Sequence, residues 1–514
     1  MNVIRGDSGV EDIVEIVAES PLKGDIKTKP RGRLKQSIAI NAIVGVSSLC
    51  VALVVFPRYT IALGLDRFGI ILVGLAVSTI AINLDIGMGA VISRRAAYIG
   101  SAHFASDHSA KKAAARLRII AIMPAIILAV YGSLSGIWDV GGYFAVISLA
   151  LFGGYIPVAC RSAQARYEGA GEFFVPRAFI LISSVIRILV AFSITHVTES
   201  LQIAVVLVAE CSVIWIPAVG CAIALKRSTL EVTDSPLHEG WTSLSVYGAG
   251  SCLSAMVGAL VLNVDTLVVG AILAPSAVVI FAAGSRVIQV YRQVIGWVMQ
   301  PLLSRLTSIH SKSGNGGLRV VWRGFHPLAI FAFSGVGFAI LAMGLLLIPV
   351  LLPNSSPADV NDARQVLILL CGGAIISAAH QIGLLVLAAA RQPHSLVTSQ
   401  LAWAALRAIL GAGLGLKFGV VAAGVGILIA TVIVEPSYLV RISRILEMGR
   451  YEIFRRAGLP AVLLCVTIVG FGYLALYNLY IGLVLIFLCC GVLILVSALY
   501  LRRLSLISEW SIDV

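Results

Sequence analysis

The chain has 514 residues, of which 59% are hydrophobic and only 12% are charged, and its mean hydropathy is +0.99. Soluble domains contain roughly 45–50% apolar and about 25% charged residues, so the composition excludes a soluble protein. The formal net charge of +13 does not predict a nucleic-acid partner, because basic residues in a membrane protein mark its cytoplasmic loops. We therefore expect a lipid bilayer, and no nucleic acid, as the partner of this chain.

Apolar windows recur along the chain after a polar segment that ends at residue 36. A membrane-spanning helix needs about 20 mostly apolar residues, and windows of this kind predict an all-α polytopic protein with about fourteen transmembrane helices. The predicted spans are 37–57, 70–92, 117–137, 142–160, 177–196, 202–225, 244–273, 276–301, 325–352, 364–390, 395–416, 418–440, 457–477 and 480–501. The polar segment lacks the pattern of a cleavable signal, so we expect the first helix to direct insertion.

A faint internal repeat relates the stretch 62–74 to the stretch 271–284, each a short outer hairpin between a first and a second helix. Such a repeat predicts two similar six-helix halves. Parallel structural repeats of this kind occur in known transporter folds. The predicted organisation is a cytoplasmic tail (1–36), an N-lobe (37–225), a cytoplasmic linker (226–243), a C-lobe (244–440), two further helices (457–501) and a second cytoplasmic tail (502–514).

The distribution of basic residues predicts the orientation of the chain. Most of the 38 Lys and Arg residues fall in one alternate set of predicted loops, and this excess marks the cytoplasmic side. The opposite loops hold only Arg58, Arg67, Arg364 and Lys417. We expect both termini in the cytoplasm of a bacterial cell and the helices in its inner membrane.

Four arginines lie at membrane depth in the predicted spans: Arg187, Arg286, Arg292 and Arg407. One Arg at a helix centre costs about 2.5–3.5 kcal/mol on insertion scales, so these side chains should face protein or a wet cavity. One interpretation is that they pair with buried acids, for which the candidates are Asp85, Glu210, Asp265 and Glu435. The other is that some positive charge stays unpaired and meets an anionic substrate.

The spacing within the eighth predicted helix favours a polar wall. Arg286, Gln289 and Gln293 are three and four residues apart, which places them on one stripe. Arg292 lies roughly 240° around the helix from Arg286 and should face elsewhere. A guanidinium suits a diphosphate because it stays ionised and donates two parallel hydrogen bonds. The substrate-binding candidates are therefore Arg187, Arg286, Gln289, Gln293 and Arg407.

Three other polar residues in the apolar windows are candidates for coupling to an ion: Glu210, Asp265 and His380. Each can carry a proton or hold a cation, although a hydrogen-bonded contact between helices is the alternative. The sequence has no phosphate-binding loop, no H-E-x-x-H and no zinc spacing of Cys and His. We expect no catalytic residue, no cofactor and no metal.

Several short motifs in the two halves of the chain carry a family resemblance. In the first half these are Pro57, the stretch 63–69 and the run LDIGMGA at 84–90, with Asp85, Gly87 and Gly89, followed by Arg94 and Arg95. In the second half they are the run NVD at 263–265 and the run PLLSR at 301–305. Together these motifs resemble polysaccharide flippases of the multidrug/oligosaccharidyl-lipid/polysaccharide exporter superfamily. The resemblance implies two six-helix lobes around a central cavity, with an oligosaccharide on undecaprenyl diphosphate as cargo.

The sequence thus predicts a secondary transporter that flips a lipid-linked oligosaccharide for exopolysaccharide or O-antigen-type biosynthesis. Its expected partners are the lipid-linked glycan and other polysaccharide assembly proteins. Within the superfamily, a lipid II flippase or a multidrug exporter is the alternative. A glycan polymerase or ligase is the alternative among enzymes, but the short outer loops show no cluster of catalytic acids. A scaffold that does not transport is the third class.

Overall fold

The computed structural model describes residues 32–82, 174–227, 241–390 and 394–506, with short pieces between residues 92 and 172. All regular structure within these ranges is helical, which confirms the predicted all-α polytopic fold class. Ten of the described helices are long and apolar enough to cross a membrane, and Met256–Ile272 is a shorter apolar helix. The Asp85, Gly87 and Gly89 motif and most of the predicted spans 117–137 and 142–160 lie outside the described residues.

The long helices cover the apolar windows in the described ranges, and two of them each run through two windows. In chain order they are α1 (Gly32–Ile82), α2 (Phe174–Ser193), α3 (Glu199–Arg227), α4 (Trp241–Ile272), α5 (Pro275–Leu351), α6 (Pro357–Ala389), α7 (His394–Phe418), α8 (Val420–Ile445), α9 (Leu459–Tyr477) and α10 (Leu479–Leu506). A short helix, Arg450–Ile453, and a π-helical turn, Phe454–Gly458, lead into α9.

Two predicted loops are helical, which corrects the sequence-based boundaries. The segments 58–69 and 302–324 continue their flanking helices, and the helical geometry breaks only at Gly64 in α1 and at Gly314 in α5. Both glycines have positive φ, 72° and 55°, a conformation that other residues rarely adopt. Hydropathy reports where a helix leaves lipid, whereas the backbone stays helical until a residue permits a turn. The apolar windows therefore ended before the helices did.

The described helices pack both within and between the predicted lobes. In the predicted N-lobe, α2 packs on α1 and on α3, and in the predicted C-lobe α6 packs on both α5 and α8. Helix α1 also packs on α4 and α5, so helices of both predicted lobes share one apolar core. Helix α9 lies against α6, and α10 against α5. The outward faces are apolar, as on α10, where Phe487 and Val492 are more than half exposed. Such faces suit a lipid solvent, because helices satisfy their backbone hydrogen bonds internally.

The two hairpins of the predicted repeat lie against each other and join the two predicted lobes. The backbone N–H of Ser276, at the start of α5, donates a hydrogen bond of 3.1 Å to the carboxylate of Asp66 in α1. An acid is favourable there because a helix N-terminus carries partial positive charge. Gly69 lies so close to Pro275 that a Cβ at residue 69 would sit 1.9 Å from the Pro275 carbonyl oxygen.

This contact predicts a cross-link between the hairpins. In a background without native cysteines, Asp66→Cys with Ser276→Cys should form a disulfide under mild oxidation, measured by a mobility shift. Adding Gly69→Val should reduce the yield, because the new side chain overlaps the backbone of Pro275. Gly258→Val is the control, since a Cβ at that position meets open space. Equal yields in both valine variants would contradict this packing.

Candidate functional site

The first buried pair lies between two N-lobe helices. Arg187 of α2 binds Glu210 of α3 through two parallel hydrogen bonds, Nε to Oε1 and Nη2 to Oε2, each 2.9 Å long. Both side chains are almost fully buried. Bidentate geometry makes such pairs strong and directional. Arg187, predicted as a substrate contact, therefore already has a carboxylate partner, and so does Glu210.

A second arginine lies beside this pair without a carboxylate of its own. Arg286 of α5 lines a narrow pocket together with Arg187, Glu210 and Tyr59 of α1. Within the described residues it makes no hydrogen bond or ion pair. The pocket therefore holds two guanidinium groups and one carboxylate. Because α5 belongs to the C-lobe part of the chain, this excess of positive charge lies where the two predicted lobes meet.

The second buried pair joins two C-lobe helices. The Nη2 of Arg407 in α7 binds the carboxylate of Asp265 in α4, and its Nη1 donates to the Val261 carbonyl at 3.2 Å. Both charged side chains are buried, and the Arg407 guanidinium also stacks over the Trp403 ring, 5.1 Å from its centroid. The sequence predicts that Arg407 binds substrate and that Asp265 couples to an ion. In the structure these two side chains neutralise each other's charge.

A cavity of about 380 Å³ opens beside this second pair. Its polar lining comes from helices α5, α6, α7 and α8 and comprises Tyr291, Arg292, Ser377, His380, Gln381, Gln400, Trp403, Arg407, Thr431 and Tyr438. Arg292 is half-buried and makes no hydrogen bond or ion pair with a described residue. The helical spacing correctly separated Arg292 from Arg286, since the two line different pockets. The sequence did not indicate that Arg292 itself faces a cavity.

The third buried pair contains no arginine. His380 of α6 and Glu435 of α8 are 2.6 Å apart between Nδ1 and Oε2, and their side chains are 3% and 8% exposed. The His380 ring stacks on Tyr438 with centroids 4.4 Å apart, and the edge of Trp403 completes the surroundings. Glu435 is close to the cytoplasmic end of its predicted span, and only the tertiary structure identifies it as the partner of His380.

The remaining predicted site residues are the two amides of the polar stripe. Gln289 is exposed, whereas Gln293 is half-buried and its amide oxygen has no hydrogen-bond partner in the described part of the chain. Neither amide lines the two pockets with Arg286 or Arg292. Their role as substrate contacts stays a prediction.

Several solved structures have folds similar to that of this chain. A multidrug resistance MATE family transporter of the MOP superfamily, in an inward-facing conformation, aligns with a TM-score of 0.57 at 13% identity, over 80% of this chain and 99% of that chain. The lipid II flippase MurJ, in an inward closed conformation, aligns with a TM-score of 0.59 at 13% identity, over 91% and 99%. The chain has the same fold as these two proteins, which confirms the fold that the family resemblance implied.

A third MOP superfamily structure, from Pyrococcus furiosus, aligns with a TM-score of 0.50 at 16% identity, over 80% of this chain and 95% of that chain. It is described by the reverse polarity of its binding pocket, which suggests a different function for that transporter. No protein-family model matches the sequence, and no curated protein sequence is significantly similar to it. The similarity to these structures shows the fold of this chain.

The contrast between paired and unpaired arginines predicts a difference in stability. Arg407→Ala should lower the free energy of unfolding by about 3–5 kcal/mol, because it leaves Asp265 as an uncompensated buried charge. Adding Asp265→Asn should recover most of that loss. Arg286→Ala is the matched control and should be neutral or slightly stabilising, since no carboxylate loses its partner. Thermal unfolding of the purified variants measures all three, and an equal loss in Arg286→Ala would contradict the pairing.

Proposed function

We propose that this protein is a secondary transporter that flips an undecaprenyl-diphosphate-linked oligosaccharide repeat unit from the cytoplasmic to the periplasmic leaflet. The observation that carries the proposal is the state of the four membrane-depth arginines. Arg187 and Arg407 have carboxylate partners, whereas Arg286 and Arg292 have none among the described residues. Two cations thus remain in pockets of a transporter fold.

Retaining an unpaired arginine in a membrane is costly, so its presence favours a functional role. The cost is about 2.5–3.5 kcal/mol at a helix centre on insertion scales, and a neutral residue would avoid it. A diphosphate offsets the cost while it is bound, because a guanidinium donates two charge-assisted hydrogen bonds to adjacent phosphate oxygens. Arg286 lies on α5 and lines a pocket with residues of α1, α2 and α3, but that pocket has a volume of only about 10 Å³. A diphosphate therefore meets Arg286 only when the helices around this pocket move apart.

The same charges argue against a multidrug exporter for cationic compounds. The buried carboxylates of Glu210, Asp265 and Glu435 each already have a basic partner. An organic cation would have to displace that partner, and would also meet Arg286 or Arg292. Lipid II is the alternative cargo of the same chemical class, because it too is linked to a polyprenyl diphosphate. The mass of the lipid-linked glycan that accumulates when the gene is deleted distinguishes the two.

Transport of this cargo requires no covalent step, and we propose that the protein is not an enzyme. Binding and release suffice, with the glycan in the protein and the polyprenyl chain left in lipid. Among the described residues, no group of three or more His, Cys, Asp and Glu residues is arranged to hold a metal ion. We place the protein in the bacterial inner membrane with both termini in the cytoplasm, on the basis of its loop charges.

That orientation predicts a pattern of chemical labelling. A cysteine introduced at Ser355, in the turn between α5 and α6, should react with an impermeant maleimide added from the periplasm. A cysteine at Ser313, beside the break in α5, is the control, since Ser313 is exposed and lies at the other end of the membrane-length helical segment Ser313–Leu351. It should react only after the membrane is permeabilised. Labelling of residue 313 in intact cells would reverse the orientation.

The anionic cargo predicts that Arg286→Ala strongly reduces export while protein abundance stays near the wild-type value. The variant removes a hydrogen-bonding cation for the diphosphate but orphans no buried acid. Arg286→Lys should restore only part of the export, because lysine keeps the charge and loses the planar fork. Export is measured as surface polysaccharide, together with the lipid-linked intermediate that accumulates in cells.

Arg455→Ala is the control for this experiment, since Arg455 is an exposed arginine in the turn before α9. It should leave export unchanged. Normal export by Arg286→Ala at normal abundance would refute the proposed role of this cation. A loss of export in proportion to a loss of abundance would instead assign Arg286 to folding.

A further inference from the structure

The three buried pairs differ in whether both partners can change their protonation state. Arginine stays protonated at any working pH, so Glu210 and Asp265 each face a permanent cation. The basic partner in these two pairs therefore neither gives up nor takes up a proton. His380 and Glu435 form the pair in which both members titrate, and an unperturbed imidazole changes charge between pH 5 and 8.

The geometry of this pair leaves one nitrogen available to a proton. Nδ1 of His380 is 2.6 Å from the Glu435 carboxylate, so a neutral ring in this arrangement donates its single N–H to that oxygen. The other ring nitrogen, Nε2, then carries the lone pair. It makes no hydrogen bond to a described residue, and His380 lines the cavity of about 380 Å³. Water in that cavity can deliver a proton to Nε2.

Several other charged or titratable groups face this site from the surrounding helices. Arg407 of α7 and Arg292 of α5 share the cavity and oppose a further positive charge. His326 of α5 also acts electrostatically on His380, while Tyr291 lines the cavity and Tyr438 stacks on the ring. Arg441 of α8 acts on Tyr438 from the cytoplasmic end. Against these cations, the adjacent carboxylate of Glu435 stabilises an imidazolium.

We propose that His380 and Glu435 form the proton-binding site of this transporter. A proton from cavity water binds Nε2, the neutral imidazole becomes an imidazolium, and the net charge of the pair changes from −1 to 0. Each transition thus changes the charge of the C-lobe cavity wall by one unit, which changes the electrostatic free energy of a charged cargo near Arg292. The coupling role rests on the proposed transport function, whereas proton binding itself does not.

The test uses Trp403 as a built-in reporter, because its ring centroid is 6.3 Å from that of His380. An imidazolium quenches indole emission more strongly than a neutral imidazole. The full-length protein, with every other tryptophan replaced by Phe, is purified into lipid nanodiscs and titrated from pH 5 to 8. Emission should fall on acidification in a single one-proton transition. Glu435→Gln should move its midpoint down by at least about one pH unit, since the counter-charge is lost.

The matched controls are two histidine variants. His380→Gln should abolish the transition, whereas His326→Gln should retain it, because the ring that His326 stacks on is that of residue 322, which is Phe in the titrated protein, and not the Trp403 reporter. A transition that persists in His380→Gln, or that Glu435→Gln leaves unmoved, would overturn the site. In cells, His380→Gln at normal abundance should lose export, and full export would overturn the coupling role. The titration needs no cargo, so its failure is distinguishable from failure of the flippase proposal at Arg286.

Discussion

The free energy of a charge inside a lipid-embedded helix bundle is the constraint on which the rest of this structure depends. Every ionised side chain at membrane depth needs a partner or water, because the surrounding hydrocarbon offers neither. Arg187 with Glu210 and Arg407 with Asp265 satisfy that requirement between neighbouring helices. These pairs fix the rotation of α2 against α3 and of α7 against α4, since a helix turned by one residue would separate the charges.

The cations without an acid partner determine the chemistry of the interior. Once the buried acids are neutralised, the cations that remain are Arg286, where the two predicted lobes meet, and Arg292, in the C-lobe cavity. Surplus positive charge favours an anion, and a planar guanidinium binds phosphate oxygens through two parallel hydrogen bonds, which is the basis of the proposed cargo. The single helix α5 carries both residues six positions apart, so its two faces serve two separate pockets. Movement of α5 would therefore change both pockets together.

The contact between the two hairpins shows how the two halves of the chain meet. The acid of one hairpin, Asp66, accepts a hydrogen bond from the first turn of the helix that follows the other hairpin. Gly69 permits the approach because it has no Cβ. This hydrogen bond is one part of a larger contact, because α1 also packs along α5 and α4. Buried apolar residues of both halves belong to one core there, so the halves meet over a packed apolar surface.

The sequence by itself determined that the helices lie in lipid, that the fold is all-α and which charged residues lie in the apolar windows. These properties follow directly from hydropathy and residue type along the chain. It also separated Arg286 from Arg292 through helical spacing. It did not determine the helix ends, since segments 58–69 and 302–324 stay helical outside the apolar windows. Nor did it determine which acid meets which base. The partners His380 and Glu435 lie 55 residues apart, and helix periodicity relates only residues within a few turns. The pairing depends on how α6 packs against α8, which only the tertiary structure decides.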